Sequence, residues 1–209
     1  MPVRIVHADD HPIVREGVAA VVRRAGMEVV AEAQTANQVV EAVTQHRPSI
    51  LITEVRLGGH DALKSLEVLS AQRPECRVIV FSAYGNPTNI ARASALGCHE
   101  FLLKTAPTSE LVAAINHAAQ GDPTPTNSLL MTTKARMRRA TKLVPESPLT
   151  NRETQVLRHV SMGLKNREIG KSLGISVETV KEHVQNILRK LDVNDRTQAA
   201  VWAIRKEFI

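Results

Sequence analysis

Five polar residues stand where short apolar runs end. Asp9 and Asp10 follow residues 3–8, Glu54 follows 50–53, Ser82 follows 78–81, and Lys104 follows 101–103. Three carboxylates are hard oxygen donors of the kind that hold Mg²⁺. A hydroxyl and an ammonium suit a phosphoryl oxygen. Each residue also has a plainer use. Asp10 can cap a helix opened by Pro12, Ser82 can form a turn, and Lys104 can be an exposed strand-end charge. Five groups of complementary sign on four strand ends favour one shared site.

These groups need a frame that brings four strand ends to one edge. The apolar runs at 3–8, 28–31, 50–53, 78–81 and 101–103 are rich in Val, Ile and Leu and too short for helices. Stretches with helical spacing lie between and after them, at 12–25, 35–46, 62–72, 87–96 and 107–119. Five βα units predict an α/β fold, a doubly wound five-stranded parallel sheet with helices on both faces. Such sheets bind ligands beyond the carboxyl ends of their strands.

The charge is uneven along the chain. Residues 1–120 hold 11 Lys/Arg against 12 Asp/Glu, 121–148 hold 5 against 2, and 149–209 hold 11 against 7. The last 89 residues therefore carry all of the excess positive charge behind the chain's net +6, and a basic half beside a neutral one suits a polyanion. Residues 121–148, with Pro-rich ends, read as a linker. Within it a short helix around Leu129, Leu130 and Met137 carries Lys134, Arg136, Arg138, Arg139 and Lys142, which can touch phosphates without base selectivity.

Residues 149–209 read as an all-α domain of four short helices. Thr150 and Glu153 form a capping box, and Val156, Leu157 and Val160 face inward until Gly163. Asn166 is the expected cap of the second helix, Ser176 of the third, and Asp195 with Gln198 of the fourth. The tight turn at 173–176 makes the second and third helices a helix-turn-helix. The third helix places Val177, Val180, Val184, Ile187, Leu188 and Leu191 on one stripe. Glu178, Lys181, Glu182, Gln185 and Arg189 form the other, a polar stripe of the kind that enters a major groove.

Other classes are disfavoured. Cys76 and Cys98 lack metal or redox spacing. No apolar run is long enough to span a membrane, and the N-terminus lacks a secretory h-region. The expectation is a cytoplasmic protein with no membrane partner. Five aromatic residues are too few for a single-strand binder built on stacked rings. The eight histidines are scattered along the chain, and no zinc site is expected from them. A phosphoryl-transfer enzyme lacks the G-x-x-x-x-G-K-[ST] loop and leaves the helix-turn-helix unexplained. No enzyme activity is expected. A protein–protein adaptor, in which a partner modulates DNA binding, is the other alternative.

The motifs ADDHPIVREG (8–17), LITEVRLGG (51–59), VIVFSAYG (78–85) and EFLLK (100–104) resemble a CheY-like receiver domain over 1–120. The segment LTNRETQVLRHVSMGLKNREIGKSLGISVETVKEHVQNILRKLDVNDRTQAAVWA resembles the LuxR-type helix-turn-helix. Together they resemble the NarL/FixJ family of two-component response regulators. The resemblance implies that Asp9 and Asp10 bind Mg²⁺, Ser82 is the switch hydroxyl, Phe101 the switch aromatic and Lys104 the family lysine. In the C-terminal domain it implies that Lys181, Glu182 and Gln185 face the groove of double-stranded DNA. Lys165, Asn166, Thr179 and Arg196 then contact the backbone, and the last helix, near Val201 and Trp202, forms a homodimer. A sensor kinase or another regulator is left open as a partner.

Four positions depart from the family. Glu54 stands at the phospho-acceptor position, where one extra methylene moves the carboxylate about 1.5 Å, and in-line attack is sensitive to displacements of about 1 Å. Ordinary aspartyl phosphorylation is not expected. The longer side chain reaches Lys104 or fills the metal position. It then either imitates a phosphoryl group in part, with one negative charge against about two, or belongs to a receiver reduced to a dimerisation or partner-binding unit. Gly58 replaces a usual proline and is expected to loosen the loop after the acceptor strand. Glu182 and Gln185 stand where many relatives carry a cation or an apolar residue.

Overall fold

The computed structural model describes residues 2–138 and 148–205. The chain divides into two packed units, 1–85 with 96–129, and 86–95 with 130–209.

In the first unit, β1 (Arg4–Ala8), α1 (Pro12–Arg24), β2 (Glu28–Ala33), α2 (Ala36–His46) and β3 (Ile50–Thr53) follow the predicted alternation. A hairpin, β4 (Arg56–Leu57) and β5 (His60–Asp61), precedes α3 (Leu63–Gln72) and β6 (Arg77–Ser82). Helix α4 (Pro87–Leu96), of which residues 87–95 belong to the second unit, comes next in the chain, followed by β7 (Glu100–Leu103) and α5 (Thr108–Gln120) of the first. The five long strands pair in parallel in the order β2-β1-β3-β6-β7. This is the doubly wound α/β sheet the apolar runs predict. Ile5, Ile50, Ile52 and Ile79 pack on Val18 and Val22 of α1 and on Leu111 and Ile115 of α5. Strand β3 is buried at all four positions, as a central parallel strand covered on both faces must be.

Pairing register aligns the functional edge. Ala8 pairs with Thr53 and Thr53 with Val80, so Asp9 and Glu54 emerge side by side. Ser82 pairs with Leu103, which brings Lys104 out beside them.

The expected loosening at Gly58 is not what the backbone shows. Gly58 and Gly59 have φ of 55° and 79°. Two successive positive φ values are what a two-residue I′ hairpin loop requires, and glycine supplies them without strain. The loop closes β4 on β5.

The second unit contains α6 (Leu129–Arg138), α7 (Asn151–Ser161), α8 (Asn166–Leu173), α9 (Val177–Leu191) and α10 (Arg196–Arg205). Of the linker's basic cluster, Lys134 lies on α6, while Arg139 and Lys142 fall outside the described residues. Val156, Leu157, Val160, Ile169, Val180 and Ile187 form the core, with Val184, Leu188, Leu191 and Trp202 packed against it. Thr150 and Glu153 close the capping box on α7. Glu153 is buried, and its Oε2 accepts from Lys190 Nζ at 2.7 Å, which ties α7 to the end of α9. Burial works to raise the Glu153 pKa, but the bonds from Lys190 and Thr150 outweigh it and hold the carboxyl below its usual value.

One cap differs from expectation. Lys165, not Asn166, is the N-cap of α8, and Asn166 is its first helical residue. Glu168 closes the N-terminus by accepting from the Lys165 N–H at 2.7 Å. Its other oxygen accepts from Arg92 Nε at 2.7 Å within the same unit. Gly170 carries the helix-turn-helix. A Cβ there would sit 2.7 Å from the Ile175 carbonyl oxygen, closer than packed atoms tolerate.

Candidate functional site

At the strand-end pocket, Asp9 is fully buried and Glu54 and Ser82 nearly so. Lys104 Nζ lies 2.6 Å from Asp9 Oδ2 and 2.9 Å from Glu54 Oε2. Its side chain is 16% exposed, so it is not a free strand-end charge. Glu54 Oε2 also accepts from the Ala83 N–H at 3.1 Å, and Glu54 Oε1 from the Val55 N–H at 2.6 Å. The extra methylene thus carries this carboxylate to an ammonium and an amide on two other strand ends. Burial disfavours the Lys104 charge, but the hydrogen bonds and charges of Asp9 and Glu54 outweigh it and hold its pKa above the ordinary lysine value.

Asp10 does not cap α1. The N-cap is His11, without a side-chain cap bond. Asp10 Oδ2 accepts from the Gly58 N–H at 3.0 Å, so the diglycine hairpin is tied to the carboxylate pocket. His11 Nδ1 lies 3.0 Å from Asp10 Oδ1, and the His11 N–H donates to Asp9 Oδ1 at 3.0 Å. Ser82 Oγ accepts from the Tyr84 N–H at 3.4 Å, and Phe101 is buried.

Sequence reasoning passed over several members of this site. Arg15 Nη1 donates to the Asp9 carbonyl at 2.9 Å while its Nε donates to Glu32 Oε2 at 2.8 Å. His7 is buried, and burial lowers its pKa to about 4 against the pull of Asp9 and Glu32, so it is neutral at pH 7. Its signal in the sequence is alternation, since His7 shares a strand face with Ile5 and Asp9. The amides of Ala83 and Gly58 have no residue-type signal.

On α9, Glu178, Lys181, Glu182, Gln185 and Arg189 are all exposed. Lys181 Nζ donates to both oxygens of Glu178, at 3.0 and 3.2 Å. Arg189 Nη2 donates to Asn186 Oδ1 at 2.9 Å. Thr179 Oγ1 lies 2.8 Å from Ser176 Oγ, at the capped start of the helix. Lys165 is exposed. Arg196 is half-buried and turned inward. Its Nη1 donates to Asn166 Oδ1 at 2.8 Å and its Nη2 to the Leu164 carbonyl.

The receiver-domain family, described as "Response regulator receiver domain", matches residues 5–116. The family described as "Bacterial regulatory proteins, luxR family" matches 147–203. The chain belongs to the response-regulator family. Transcriptional regulatory protein LiaR of Bacillus subtilis is 31% identical over 209 residues, covering 99% of each chain. Response regulator protein VraR of Staphylococcus saprophyticus is 28% identical over the whole of both chains. Among solved structures, the response regulator ChrA of a heme-sensing two-component system aligns with a TM-score of 0.54 at 29% identity, covering 100% of this chain and 99% of that one. Salmonella typhimurium RcsB aligns at 0.57 and 23% identity, covering 96% of both, a likeness of fold. This response regulator is a DNA-binding transcription regulator of the two-component type. Among its described residues no helix is long and apolar enough to cross a membrane.

Proposed function

We propose that this response regulator reads duplex DNA with the outward face of α9 and does so without waiting for a phosphoryl group. The observation that carries the reading is the seat of Glu54. One of its oxygens already takes the Lys104 ammonium and the Ala83 amide, a cation and an N–H donor of the kind that holds a phosphoryl oxygen. Glu54 is therefore a standing, partial substitute for that group. Its charge of −1 against about −2 makes the substitution incomplete.

Residues 1–120 are the receiver, 121–148 the linker and 149–209 the DNA-binding domain. Asp9 and Asp10 fit a divalent cation in donor type. With His11 they offer ligand atoms within 4.8 Å of one another. They would hold Mg²⁺, which in such a site offsets charge on a phosphoryl oxygen. Glu54 is engaged elsewhere through both oxygens. Lys165, Thr179 and Arg189 touch phosphates, Lys181 joins them when it leaves Glu178, and Asn166 with Arg196 shapes the turn before α8. The protein is cytoplasmic and pairs as a homodimer on DNA through α10, where Val201 and Ile204 are exposed apolar residues. It performs no catalysis of its own.

Incubation with acetyl phosphate and Mg²⁺, followed by intact-mass measurement, tests the reading. The wild-type chain gains no phosphoryl group and Glu54→Asp gains one. A phosphoryl adduct mapped to Glu54 overturns it.

A further inference from the structure

We propose that Glu182 and Gln185 make this module select a C·G pair and an A·T pair within two base steps in each half-site, with Glu182 acting mainly by rejecting other base edges. The inference rests on the DNA-binding reading and adds which bases are read.

Three observations on α9 carry it. Glu182 and Gln185 are exposed, and their side chains have no partner among the described residues. Their cationic neighbours are occupied: Lys181 is held by both oxygens of Glu178, and Arg189 is held by Asn186. The two residues are three apart on a capped, regular helix, which sets their Cβ atoms about 5–6 Å apart on one face. Successive bases on a strand are about 3.4 Å apart, so the pair spans one to two steps.

The chemistry of the side chains then limits the bases. A carboxylate only accepts hydrogen bonds. In the major groove, guanine N7 and O6 and thymine O4 are acceptors too, so Glu182 is repelled by both. Cytosine N4 is a donor that no acceptor atom flanks on the same base edge, and it is the partner that suits a carboxylate. The Gln185 amide both donates and accepts, which matches adenine N7 and N6. Glu182 also adds a negative charge close to the phosphates. That charge weakens binding to every sequence and is offset only where a cytosine amine meets it. Discrimination here comes from penalising wrong sites as much as from favouring the right one.

Repeated selection of the full-length protein on a random duplex pool, followed by affinity and salt titrations, tests the inference. The wild type enriches half-sites with C and A at positions one or two steps apart. Replacing that C·G pair costs about tenfold in affinity. Glu182→Ala loses the cytosine preference yet binds random DNA several-fold more tightly. Gln185→Ala loses the adenine preference alone. Binding with no base preference at these positions, or unchanged preferences in Glu182→Ala, overturns this inference and leaves DNA binding standing. Failure of the wild type to bind any duplex, even at low salt, overturns the DNA-binding reading and this inference with it.

Discussion

The strand-end pocket and the outer face of α9 use the same residue types to opposite ends. In the pocket, Glu54 and Asp9 share one lysine and take backbone N–H bonds besides. On α9, Glu182 and Gln185 are exposed, and their side chains have no partner among the described residues. The pocket is nearly dry, so an uncompensated charge there is expensive and each one has been matched. The helix face is wet, so an unmatched carboxylate costs little until a phosphate backbone approaches. A carboxylate with its partners in place maintains a state, and one without them awaits a ligand. On the proposed reading the receiver holds one arrangement, and the selectivity lies in the C-terminal module.

The largest effect is expected where the pocket is unbalanced. Lys104→Met leaves two adjacent carboxylates with no cation and should destabilise the receiver by about 4 kcal/mol. Urea denaturation followed by circular dichroism measures this. The lysine pKa is raised on folding, so its contribution is present below the ordinary lysine value and lost as pH climbs through the folded one. The variant should lack that alkaline loss. Trp202 is the one tryptophan of the chain and lies in the C-terminal unit. Its fluorescence should be unchanged by Lys104→Met at low denaturant, which keeps the two regions experimentally separate.

Gly170→Ala should act on the other side of the comparison. The added Cβ meets the Ile175 carbonyl at 2.7 Å, which costs about 2 kcal/mol in the Trp202-monitored transition and tilts α9 away from its groove position. Lys190→Met should cost about 1 kcal/mol there by leaving buried Glu153 without its cation. Glu153 has a lowered folded pKa, so its contribution is present above the ordinary glutamate value and lost as pH falls through the folded one. The wild type should lose C-terminal stability on acidification over that range, and Glu153→Gln should lose less. Lys181→Ala is the smallest change. Because Glu178 already shares this cation, DNA affinity should fall by less than tenfold at all sequences, with a salt slope shallower by about 1. An unchanged slope would place the DNA-facing surface elsewhere.

The strand runs, their ends and the two faces of α9 were legible because each depends on local spacing: period two or continuous burial for strands, 3.6 for helices. The link from Glu54 to Lys104 was legible as one of two destinations for a longer side chain. What escaped depends on which of several possible partners a residue takes, near or far in the chain. Arg196 reads as a phosphate-facing cation, yet Asn166 and the Leu164 carbonyl, 30 and 32 residues away, claim it. Gly58 reads as a flexible substitute for proline, but Gly59 beside it turns flexibility into a defined hairpin whose strands, at two residues each, are too short for any periodic signal. Lys165 displaced Asn166 as a cap because Glu168 closes that helix end from within.

If Glu54 already fills the place of the phosphoryl group, a phosphodonor has nothing to add to DNA binding. The affinity of the full-length protein for its selected duplex, measured with and without acetyl phosphate and Mg²⁺, tests it most directly. Equal affinities are expected for the wild type, with a phosphodonor-dependent gain only in Glu54→Asp. A severalfold tightening of the wild type on phosphodonor addition, together with an adduct on the receiver, would contradict it.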